Sequence, residues 1–72
     1  MLINNALQRV FIKKEGNEET PLTDPDHNWP PKRVLTFYAV TFPVLTTALI
    51  QGPDVRDDKI YFLFVSIIGT KG

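Results

Sequence analysis

Lys59-Ile60-Tyr61-Phe62-Leu63-Phe64-Val65-Ser66-Ile67-Ile68 is the stretch on which the fold turns. Residues 60, 62, 64, 66 and 68 point one way along an extended chain and 61, 63, 65 and 67 the other. Both sets are apolar apart from Ser66, so the run predicts a strand at the centre of a sheet rather than at its edge. Gly69-Thr70-Lys71-Gly72 follows directly. Gly69 reads as the residue that ends the strand and frees a short tail.

Working back from that strand, residues 45–51 (Leu-Thr-Thr-Ala-Leu-Ile-Gln) predict another, and Gly52-Pro53-Asp54 begins a polar connection running through Asp57-Asp58. Before it, Leu35, Tyr38, Ala39 and Phe42 recur at helical spacing, with Val34, Phe37 and Thr41 beside them, predicting an amphipathic helix of about three turns. Pro43 ends it, and Pro30-Pro31 suits its first turn, where a missing N–H has no partner anyway. Asn28 or Asp26 is the candidate cap. The loop 23–31, rich in proline and in side chains that bond to backbone, should be ordered.

At the other end of the chain, residues 7–14 alternate in a strand-like manner, with the choice of buried face left open. Glu15-Gly16-Asn17-Glu18 supplies a turn, and residues 19–22 return as a second strand that Pro21 confines to an edge. The order is strand, strand, helix, strand, strand. One helix covers one face of a mixed sheet of four to five strands, with the first and last strands adjacent and parallel at its centre. That is an α+β, β-grasp layout occupying 1–72 as one domain, with 1–5 as a loose start and 69–72 as a tail.

Seventy-two residues without cysteine leave neither disulfides nor a thiolate zinc site to support the core, and exclude a thiol nucleophile. A chain of this size buries only about 60% of the surface its unfolded form exposes, so each large apolar side chain matters. Eight basic residues balance eight acidic ones and are scattered, so nucleic acid is not an expected partner. The first residues lack the features of a secretory signal, and 34–50 is too short and too interrupted to span a bilayer. A cytoplasmic, monomeric protein is expected.

His27 stands near Asp24 and Asp26 but without a second nitrogen ligand, and reads as a loop residue rather than a metal site. Neither catalytic residues nor a cofactor are expected, since no nucleophile–base pair, phosphate loop or carboxylate cleft is recognisable. Two candidate sites remain. One is the tail, Gly69, Thr70, Lys71 and Gly72, whose terminal carboxylate suits activation because glycine admits close approach. The other is the strand face formed by Tyr61, Leu63, Val65 and Ile67, left open to a partner where the helix covers Ile60, Phe62 and Phe64. The alternatives are that loop 23–31, with Trp29, folds over that face, or that the two faces are exchanged.

Arg9-Val10-Phe11, Leu22 with Asp24-Pro25, Val34 with Tyr38, Pro43, Leu45 with Thr47-Ala48, Gly52-Pro53 and Gly69-Thr70-Lys71-Gly72 together resemble the PRTRC system protein C family, from about residue 8 onward. The resemblance implies a ubiquitin-like protein of a mobile-element cassette, with a ThiF-like activating enzyme and a JAB-type isopeptidase as partners. It further implies that Gly72 is the residue activated. A non-covalent interaction module using the sheet face is the alternative, and a sulfur carrier of ThiS or MoaD type a weaker one. The tail departs from the diglycine of those carriers, with Lys71 before a single terminal glycine.

Overall fold

The computed structural model describes residues 7–67. Its elements are β1 (Gln8–Glu15), β2 (Glu18–Leu22), α1 (Pro31–Thr41), a 3₁₀ turn (Pro43–Thr47), β3 (Leu49–Arg56) and β4 (Lys59–Val65). The sheet order is β2-β1-β4-β3. β1 and β4 run parallel in the middle, and the outer strands are antiparallel to their neighbours. The expected β-grasp layout is therefore present with four strands.

Alternation decides which side of the sheet is dry. Phe11 from β1 and Phe62 and Phe64 from β4 point at α1, and with Val34 of the helix and Leu45 of the 3₁₀ turn they form the buried core. Phe11 stacks on Phe62 with centroids 5.3 Å apart and meets Phe64 at 5.4 Å. Each such ring contributes about 1.5–3 kcal/mol by leaving water. Around them pack Leu22, Leu35, Tyr38, Ala39, Phe42, Ile50 and Ile60. Lys13 shares this face and is only 8% exposed. Its ammonium escapes the apolar interior by pairing with Glu15 at 2.7 Å while lying 5.3 Å from the centre of the Phe42 ring.

The helix starts where two prolines allow it. Pro30 is the cap residue in an extended conformation, its carbonyl accepting from the Arg33 and Val34 N–H groups, and Pro31 opens the first turn. Neither Asn28 nor Asp26 caps it. The Asp26 carboxylate instead accepts the Asn28 N–H at 2.9 Å, closing a turn one step earlier. The Phe42 N–H bonds to the Tyr38 carbonyl at 2.7 Å before Pro43 diverts the chain. Tyr38 donates its hydroxyl to the Thr23 carbonyl. Burial, with the Asp24 carboxylate as a second cause, raises the pKa of that phenol.

Residues 43–47, read partly as strand from the sequence, wind into the 3₁₀ turn and bury Leu45. β3 consequently starts later and continues through Gly52-Pro53-Asp54, which sequence pattern assigned to a connection. The ladder steps from Gln51↔Leu63 to Asp54↔Tyr61, a bulge that leaves Gly52 and Pro53 without cross-strand partners, and the Gly52–Pro53 peptide is cis. Proline is tolerated because this edge position demands no donor from it. β4 is shorter than expected and ends at Val65, with one further bond from the Ser66 N–H to the Lys14 carbonyl. Among the described residues no helix is long and apolar enough to cross a membrane.

The two hairpins turn differently. Gly16 has φ +59 and Asn17 has no positive φ, which fits a type II′ turn, whereas Asp57 and Asp58 both have positive φ, 53° and 63°, as in type I′. An L-residue pays for that conformation, and glycine does so least. Asp58→Gly is therefore expected to stabilise the chain by about 0.5–1 kcal/mol. That would raise the thermal midpoint by a few degrees. A lowered midpoint would mean that Asp58 makes an interaction worth more than the relieved strain.

Candidate functional site

The core residues of β1 and β4 fix the positions of their neighbours. With Phe11, Phe62 and Phe64 turned to the helix, Val10, Ile12, Tyr61, Leu63 and Val65 are set on the opposite face of the two central strands. The parallel register places Val10 beside Tyr61, Ile12 beside Leu63 and Lys14 beside Val65. β3 adds Leu49 opposite Val65 and Gln51 opposite Leu63, and β2 adds Pro21 opposite Ile12. The result is a band of aliphatic and aromatic side chains across all four strands, half-buried at the centre and exposed at Leu49.

Charged residues frame this band. The Arg56 guanidinium lies 4.6 Å from the centre of the Tyr61 ring and pairs with Asp54 at 3.0 Å, while Lys14 pairs with Glu19 at 3.5 Å. An apolar centre with a polar rim is an arrangement that protein-binding surfaces share. Exposed pairs of this sort contribute little to stability and more to orienting a partner.

Three of the four face residues expected from sequence, Tyr61, Leu63 and Val65, are brought together here. Ile67 is not held with them: it follows the end of β4 and is 52% exposed. Val10, Ile12 and Leu49 were missed. Their signal was the alternation of the first strand, which becomes readable once Phe11 is assigned to the core. Gly69, Thr70, Lys71 and Gly72 lie outside the described residues.

Trp29 does not fold over this face. It packs on the core side, with its ring 5.6 Å from that of Phe37 and the Arg33 guanidinium 4.4 Å above it. Arg9 anchors its loop there. The guanidinium binds both oxygens of Asp24 at 2.9 Å, the Trp29 carbonyl at 2.7 Å and the Asp26 carbonyl at 2.9 Å. This fork-to-fork geometry is what arginine supplies and lysine does not.

Arg9, Asp24, Asp26 and His27 also border an open concavity of about 740 Å³. Four of the arginine's five N–H donors are engaged by the loop itself. Among the described residues no three His, Cys, Asp or Glu side chains gather as a metal site. The sheet offers apolar contact bounded by charge.

No curated protein and no solved structure gives a match to this sequence. A family model described as Prokaryotic Ubiquitin matches residues 4–70, a span that contains the helix, all four strands and the apolar band. Its reach over nearly the whole sequence, together with the β-grasp sheet, shows that the chain belongs to the prokaryotic ubiquitin family.

Proposed function

We propose that this chain is the ubiquitin-like protein of a PRTRC cassette, recognised through its open sheet face by a ThiF-like activating enzyme that adenylates the carboxylate of Gly72. A ubiquitin-like protein of this kind is a modifier or carrier, not the catalyst. The observation that carries the reading is the band Val10, Ile12, Leu49, Tyr61, Leu63 and Val65, an apolar surface built on the same central strand that leads toward the tail. In the proposed step a Gly72 carboxylate oxygen attacks the α-phosphorus of ATP and the bond to pyrophosphate breaks; a thiol or amine then attacks the carbonyl carbon of the acyl adenylate and takes the acyl group as AMP leaves. A JAB-type isopeptidase would reverse an amide so formed by hydrolysis.

The test mixes the chain with the activating enzyme of its cassette, ATP and magnesium and follows intact mass. An adenylate or thioester adduct is expected, abolished by deleting Gly72. Leu63→Asp should weaken the enzyme's hold roughly tenfold or more, as truncation of a central interface residue does. Far-UV circular dichroism checks that the variant is folded. No adduct from an enzyme that turns over another substrate would overturn the proposal.

The same band also supports a second reading, a non-covalent module that assembles cassette proteins by its sheet face. There, removing 70–72 leaves binding intact while Leu63→Asp abolishes it. The opposite pattern would remove this reading and leave the first.

A further inference from the structure

On the other side of the molecule, α1 turns a second surface outward, and we infer that it docks an acidic, amphipathic peptide segment of a partner protein. Arg33, Phe37 and Val40 stand at i, i+4 and i+7, so they share one stripe of the helix. That stripe faces solvent: Phe37 is 47% exposed and Val40 84%. The sequence pattern had grouped Phe37 with the buried face. The structure instead uses Val34, Leu35, Tyr38 and Ala39 for the core and leaves Phe37 beside Trp29.

Beside these two touching rings lies a shallow, open cleft of about 220 Å³, lined by Trp29, Arg33, Thr36 and Phe37. Its walls are held. The Trp29 and Phe37 rings meet edge to face, Phe37 also meets Tyr38 edge to face at 5.0 Å, and Arg33 stacks over Trp29. Thr36 is held by its hydroxyl, which donates to the Lys32 carbonyl at 3.1 Å. The held walls present a shallow apolar seat to an aliphatic or small aromatic side chain, and Trp and Arg are both among the residue types enriched at the energetic centre of an interface.

Charge identifies the occupant. α1 carries Lys32 and Arg33 and no acidic residue, and among the described residues neither cation has an ion-pair partner. Stacking occupies the face of the Arg33 guanidinium and leaves its N–H edge for a carboxylate. A segment with one apolar side chain in the cleft, another over Val40, and carboxylates set against Arg33 and Lys32 satisfies every part of the surface. A nucleic acid fits less well, since two cations on a chain of zero net charge neutralise few phosphates.

Trp29 is the chain's single tryptophan, so its emission reports on the cleft directly. Phage-displayed random linear peptides are selected on the full chain, and the selected peptides are titrated in solution while Trp29 emission is followed. Expected are peptides in which Asp and Glu flank an aliphatic or aromatic residue, a saturable change in emission, and affinity that falls as salt rises. Arg33→Glu and Val40→Asp, both at exposed positions and both expected to fold, should each reduce affinity at least tenfold, while Leu63→Asp should not. Several results would overturn the proposal. These are an absence of enriched peptides, enrichment without acidic bias, binding that leaves Trp29 emission unchanged, and binding indifferent to Arg33→Glu. So would oligo-dT or phosphatidylserine vesicles outcompeting the peptides for the cleft.

Discussion

Phe11→Ala is expected to take the chain to the edge of unfolding at 25 °C. Phe11 is fully buried on β1, between Leu22 and Phe62 in the ladder, and its ring is the shared partner of Phe62 and Phe64. Removing a buried phenylalanine ring costs about 3–5 kcal/mol, part from lost transfer and part from the cavity left behind. At roughly 0.05–0.15 kcal/mol per residue, 72 residues hold about 4–11 kcal/mol in total. The loss therefore consumes about a quarter of the stability at best and more than all of it at worst. Urea unfolding followed by circular dichroism measures it as a large fall in midpoint. Phe37→Ala supplies the control: nearly half exposed, it should cost about 1–2 kcal/mol, well below the cost at Phe11. Equal losses from the two would show that the sheet's dry side had been misassigned.

That contrast also marks how far the sequence could be read. The central position of the last strand was legible because both of its faces are apolar, and its parallel partner followed from the strand order. The first hairpin was legible because Gly16 offers the positive φ its turn needs. Phe37 was misread because helical periodicity defines a stripe only to within one neighbouring residue, and the sheet beneath α1 is wide enough for Val34, Leu35, Tyr38 and Ala39 alone. The anchor formed by Arg9 was hidden for a different reason. Its partners Asp24, Asp26 and Trp29 are distant in sequence, and a lone arginine in an alternating strand looks like any solvated residue.

The apolar band was half legible. The contribution of β4 follows from alternation within one strand, whereas those of β1 and β3 depend on register between strands. For β1 the register rests on placing Phe11, not Val10, in the core. For β3 it depends on the bulge, because a strand read without the step between Gln51 and Asp54 assigns half its residues to the wrong face. Gly52-Pro53 looks like punctuation in the sequence since both residues usually are. Here they lie inside a strand, at a place where the ladder skips.

Gly52→Ala should accordingly be among the most damaging single-atom changes in the molecule. Gly52 has φ +119, a conformation L-residues rarely adopt, and a Cβ there would meet the Tyr61 carbonyl oxygen at 2.6 Å and the Phe62 Cα at 3.3 Å. Both obstacles are backbone of the central strand, so neither can rotate away. Strain at such a backbone position costs about 1–3 kcal/mol, and forcing an extra methyl into a packed contact about as much again. Gly16→Ala isolates the first effect. It too sits at positive φ, +59, but nothing lies within 4 Å of the added carbon, so its cost should stay near 1–2 kcal/mol. The difference between the two midpoints thus measures how closely β3 is pressed on β4. Relief of the clash requires β3 to move away from Tyr61 and Phe62, which carries Leu49 and Gln51 out of line with Val65 and Leu63. Gly52→Ala should therefore weaken recognition of the sheet face in whatever fraction remains folded, while Gly16→Ala leaves it unchanged. Two alanine variants of equal stability and equal binding would mean that the bulge tolerates a side chain, and that the register building the band is not set there.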